Sequence, residues 1–113
     1  MTWKLIDKAV KRYAEEAKIT YGDILYKVIL YGSYARGDFD DESDVDIMIL
    51  LDVPRDEIPN ERQKTSAISS QLDVEFDYNL LFAPIVESKE VFIKYQNAMQ
   101  FFRNVMEEGR SYA

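Results

Sequence analysis

Apolar residues Leu5, Ile6, Ala9, Val10, Tyr13, Ala14 and Ala17 recur every three or four positions, with Lys4, Lys8, Lys11, Arg12, Glu15 and Glu16 between them. That spacing predicts an amphipathic helix over residues 3–18. Gly22 and its polar neighbours interrupt the pattern. Residues 24–31 then form a run rich in β-branched and aromatic side chains, read as a buried strand. Gly32 ends it, residues 33–36 suit a short helical turn, and residues 37–43 are polar. Residues 44–51 alternate at first and then become wholly apolar, as expected of a central strand whose first residues reach an open edge of the core.

The second half is less regular. Pro54 and Pro59 bracket a turn, and a weakly amphipathic helix is expected over 61–72 with Ala67, Ile68 and Leu72 facing inward. Residues 72–79 alternate strictly, Leu72, Val74, Phe76 and Tyr78 against Asp73, Glu75, Asp77 and Asn79, which predicts a third strand with an acidic face. Pro84 within the apolar run 80–86 points to a strand end or an edge position. Ser88 is read as an N-cap. Val91, Phe92, Tyr95, Met99, Phe102, Val105 and Met106 form the inner stripe of one bent or two short helices ending at Gly109. No repeat or second domain is visible, so residues 1–113 are expected to be one domain.

Composition narrows the chemistry. The chain has no cysteine and no histidine, which excludes a disulfide framework, a thiolate zinc site and a cysteine or histidine catalyst. Carboxylates, hydroxyls and cations must carry any reaction. The net charge is −7, and an acidic surface disfavours direct binding to long nucleic acid. Up to Arg36 there are seven Lys/Arg and four Asp/Glu, and from Gly37 onward seven and seventeen, so the halves differ in sign. No apolar run approaches a membrane span, and the first residues turn polar too soon for a signal peptide. A cytoplasmic location is expected, and homo-oligomerisation stays open.

Asp44 and Asp46 are two positions apart in a strand, so both side chains share one face, with their backbone positions about 6.5 to 7 Å apart. Together they can grip one hard cation, Mg²⁺ or Mn²⁺. Gly32, directly after a buried strand, lets a phosphate approach the backbone; Ser33 offers a hydroxyl and N–H groups; Arg36, a turn later, offers a fork of donors. Taken singly, a Gly-Ser pair is ordinarily a turn, an Asp-x-Asp a solvated strand end, and an arginine a surface residue. Asp38, Asp40, Asp41 and Glu42 lack the ligand spacing of a calcium loop and read as solvated. Phe101, Phe102 and Met106 read as core or interface, and Tyr34 is a candidate border of a nucleotide.

The combination Gly32-Ser33, ten residues, Asp44-Val-Asp46 resembles the signature of the DNA polymerase β-like nucleotidyltransferase superfamily. Tyr34-Ala-Arg-Gly37, and Ser43 before Asp44, make the chain similar to the minimal nucleotidyltransferases (MNT) of prokaryotes, including MntA-like antitoxins of HEPN/MNT toxin–antitoxin systems. The resemblance covers almost the whole chain. It implies an α+β (α/β two-layer) fold, a small mixed sheet with helices packed on one face and metals and nucleotide on the other. It implies transfer of a nucleoside monophosphate to a hydroxyl, AMP from ATP being the expected case, with two metals held by Asp44 and Asp46. A third acid on a later strand is expected, with Asp77 the candidate; an alternative alignment puts Asn79 there and leaves no acid. The implied acceptor is a tyrosine of a HEPN-domain toxin, the chain acting as its antitoxin. The Asn79 alignment favours a module that neutralises its partner by binding alone.

Overall fold

The computed structural model describes residues 2–113. Helix α1 spans Trp3–Tyr21, three residues past the predicted end. Thr2 caps it, its side chain accepting from the Leu5 N–H, and Gly22, at φ 56°, ends it. Strand β1 is Leu25–Tyr31, helix α2 Gly32–Arg36, strand β2 Val45–Leu51, helix α3 Ile58–Glu75 and strand β3 Phe82–Ser88. Helices α4 (Lys89–Tyr95) and α5 (Gln100–Glu108) follow, then the two-residue strand β4, Arg110–Ser111.

The sheet order is β3-β2-β1-β4. Strand β1 pairs antiparallel with β2 and β4, and β2 pairs parallel with β3. A parallel pair needs a long crossover, which α3 supplies. Pro84 sits on β3, an edge strand, as its missing N–H requires.

Helices α1 and α3 cover one face of the sheet, closing a core of Ile6, Val10, Tyr13, Leu30, Ile47, Ile49 and Leu72 among others. Buried hydroxyls in this layer have partners: Tyr13 meets Ser69 Oγ at 2.7 Å and donates to Thr65 O at 3.0 Å, and Tyr21 bonds Thr65 Oγ1. Arg12 ties the layer's rim to Glu75 through Nε at 2.9 Å. The other face is not bare. There α4 and α5 set Phe92, Phe102 and Val105 against Ile29, Tyr31, Met48 and Leu50.

The expected strand over 72–79 is not formed. Helix α3 begins earlier, with Pro59 in its first turn, where a missing N–H costs nothing, and runs to Glu75. Leu72 lies one helical turn beyond Ile68 and both are buried, whereas Val74 is 57% exposed and Tyr78 65% exposed. The alternation of two was therefore coincidental, and the inward face follows the helical period. Asp77 and Tyr78 then turn the chain in left-handed conformations, φ 55° and 56°. At Ser88 the N-cap position is as expected, but the hydroxyl donates to Val53 O at 2.7 Å instead of capping α4. No helix among the described residues is long and apolar enough to cross a membrane.

Candidate functional site

The antiparallel register sets Tyr31, the last residue of β1, opposite Asp46 on β2. The chain must leave β1 at that point without striking the carboxylate. Gly32 has φ +76°, and a Cβ on it would collide with Asp46 Oδ2 and lie 3.2 Å from Asp46 Cγ. Glycine is thus required both by the backbone conformation and by the acid it faces. After α2, Gly37 at φ 86° turns the chain back, with the Gly37 and Asp38 N–H groups donating to Ser33 O at 2.9 and 3.1 Å.

The loop into β2 is held by its own polar groups. Asp40 Oδ1 accepts from the Glu42 N–H at 2.9 Å, and Ser43 Oγ accepts from the Asp40 N–H at 3.0 Å. Tyr34, a candidate border of a nucleotide, is 1% exposed; its ring stacks on Phe39 at 4.5 Å and its hydroxyl donates to Ser43 O at 3.1 Å. It braces the loop that presents Asp44.

Asp44 is exposed and Asp46 half-buried. Burial first, and then the charge of Asp44, pushes the Asp46 carboxyl above the usual range, with Arg36 opposing. An acid pair on hard oxygen atoms, in which Asp44 disfavours the ionisation of Asp46, suits a divalent cation, which reverses that repulsion. Mg²⁺ ordinarily takes one or two protein carboxylates and completes its shell with water and phosphate oxygen, so this donor pair fits it. Arg36 is exposed and in ion pairs, Nη1 to Glu108 at 2.9 Å and Nε to Asp38 at 3.2 Å. Tyr31 is buried beside Asp46 with its ring edge-on to Phe101 at 5.6 Å. Its phenol is pushed up to about 12 by burial and then by Asp46.

The third acid is where structure and expectation part. The strand beside β2 is β3, whose register matches Asp46 with Ala83, and the Val45 N–H donates to Leu81 O at 2.8 Å. Leu81 and Ala83 therefore stand next to Asp44 and Asp46. Asp77 and Asn79 lie in the turn before β3, around a hollow with Leu5 and Lys8 of α1, and the structure does not bring Asp77 into the acidic pair. Among the described residues no group of three or more Asp, Glu, His or Cys side chains is placed to hold a metal. The sequence reading also missed Tyr31 and Glu108. An aromatic directly before Gly32 was a usable signal for the first; nothing local marks a glutamate 72 positions from its arginine.

A four-stranded mixed sheet with a Gly-Ser turn pressed on an acidic pair is the arrangement of nucleotidyltransferase folds. The chain belongs to the nucleotidyltransferase domain family, whose profile matches residues 7–110. It is 40% identical over 104 residues to the Methanocaldococcus jannaschii protein named "Putative protein adenylyltransferase MJ0604", covering 92% of this chain and 94% of the relative. A second protein of that organism, "Putative protein adenylyltransferase MJ0141", is 39% identical over 88 residues, 76% of this chain and 83% of the relative. Among solved structures, the fold is similar to a toxin–antitoxin crystal structure with AMP-PNP, at TM-score 0.54 and 17% identity, over 91% of this chain and 72% of that one. It is also similar to the toxin–antitoxin MntA-HpeT mutant D39ED41E, at TM-score 0.50 and 16% identity, over 100% of this chain and 73% of that one.

Proposed function

We propose that the protein is a Mg²⁺-dependent adenylyltransferase that moves AMP from ATP to a hydroxyl of a partner protein, a tyrosine of a HEPN toxin, and so acts as an antitoxin. The observation that carries this reading is the closure of Gly32 on Asp46, which sets the Gly-Ser turn against the acid pair. The names of the relatives support adenylyl transfer to protein, and the toxin–antitoxin neighbours support the partner.

In this reading Asp44 and Asp46 would hold Mg²⁺, which would supply positive charge to the triphosphate. Gly32 admits the phosphates to the backbone, Ser33 offers them its hydroxyl, and Arg36 adds positive charge to an otherwise acidic loop. The acceptor oxygen forms its bond to the α-phosphorus as the bond to pyrophosphate breaks, and the acceptor proton leaves to solvent.

Leu81 and Ala83 beside the acid pair favour a second reading, a module that keeps the pocket but neutralises its partner by contact, since neither side chain can ligate a metal or take a proton. Labelled ATP, Mg²⁺ and the HEPN partner separate the two. Under the first, label passes to the partner, and Asp44→Asn with Asp46→Asn lowers transfer at least about 100-fold and ends neutralisation. Neutralisation that survives the double change, with no label transferred by the wild type, establishes the second.

A further inference from the structure

We infer that Glu108 is a positioning residue that sets the anion affinity of the triphosphate site by engaging Arg36 in an ion pair that an incoming phosphate must displace. This rests on the nucleotide reading above and adds a regulator to it. The pair is direct, Arg36 Nη1 to Glu108 Oε2 at 2.9 Å, and Glu108 is the more sheltered partner, its side chain 22% exposed against 46% for Arg36. The second carboxylate on Arg36, Asp38, is a loop residue 62% exposed, so Glu108 is the firmer hold.

Glu108 is fixed in place by more than this bridge. It ends α5, and Gly109 packs so closely that a Cβ there would strike Val105 O and Ile29 Cγ2. The Gly109 N–H donates to Val105 O at 2.9 Å, and Arg110 Nη2 reaches Ala35 O at 3.5 Å, joining the end of α5 to α2. A carboxylate at a helix C-terminus faces the negative end of the helix dipole, and the last turn of α5 holds no basic residue. Arg36 is a cation placed to relieve it. When a triphosphate takes Arg36, that relief is withdrawn, so nucleotide binding and the end of α5 draw on the same guanidinium. Exposed ion pairs are weak and charge-assisted bonds to phosphate are strong, so the exchange favours phosphate while lowering its affinity.

The test is titration of Mg·ATP into the full chain by calorimetry at low ionic strength, for wild type, Glu108→Gln, Arg36→Ala and the double variant, each checked for a cooperative melt. Glu108→Gln is expected to bind Mg·ATP about two- to fivefold more tightly, and Glu108→Ala gives a second version should the amide perturb packing. In the Arg36→Ala background the gain should vanish, an outcome that a merely structural role for Glu108 would not produce. Equal or weaker binding by both Glu108 variants overturns the inference, since Glu108 would then be idle or would organise Arg36 for the ligand. A gain that persists without Arg36 overturns it too, as general charge removal. No binding of Mg·ATP by the wild type overturns the nucleotide reading itself, and this inference with it.

Discussion

The two faces of the sheet differ in how completely their demands are met. Toward α1 and α3, Tyr13, Leu72 and the odd-numbered residues of β2 are sealed from solvent, and the hydroxyls of Tyr13, Ser69, Thr65 and Tyr21 bond one another or backbone carbonyls. Toward α4 and α5, Asp46 shares its face with Tyr31 and Met48, two acids stand side by side, and Ile93, Met99, Phe101 and Met106 remain exposed. One face is built to hold the fold; the other keeps a repelling acid pair at its edge. Functional sites are where such local inconsistency is expected.

Substitutions can break this contrast. Leu72→Ala should cost about 3 kcal/mol in denaturant unfolding by opening a cavity against α1, whereas Val74→Ala should stay within about 0.5 kcal/mol. Equal costs would argue for the alternating strand and against α3. On the site face, Gly32→Ala should cost about 2 kcal/mol, from the left-handed backbone and the strike on Asp46. It should also abolish the rise in Tm expected of the wild type with Mg·ATP; a retained rise would show that the turn does not shape the pocket. Tyr13→Phe should cost about 1 kcal/mol, leaving Ser69 and Thr65 short of a partner.

The smallest expected effect has the opposite sign. Folding raises the pKa of Asp46, so its contribution to stability is fully present below its unfolded value and is lost as pH rises through the folded one. Asp46→Asn should therefore raise the Tm of metal-free protein at neutral pH and flatten its decline between acid and neutral pH. A fall in Tm at neutral pH would mean that the acid pair is stabilising and the contrast between faces is wrong.

What the sequence made legible was what lies within one element or between adjacent ones. Helix α1, strands β1 and β2, and the Gly32 to Asp46 motif were readable because a helical stripe, an apolar run and a fixed spacing are local signals. The third-acid position was not, because it depends on which strand pairs with β2 and in what register. Eight residues that alternate by two can also satisfy a helix through Ile68 and Leu72. Nor could spacing reveal that Glu108 meets Arg36, or that Trp3 lies under Arg110, whose guanidinium carbon is 4.4 Å from its ring centroid.

The last residues return to the first: Tyr112 donates to Asp7 at 2.8 Å across 105 positions, and its N–H to Val28 O at 2.8 Å. In order of synthesis this clasp is made late, and so is the bridge from Glu108 to Arg36. On the ribosome, residues up to the end of β2 precede α5 by some fifty positions. The segment that carries the Gly32 turn and the acid pair is therefore made well before the carboxylate that meets Arg36.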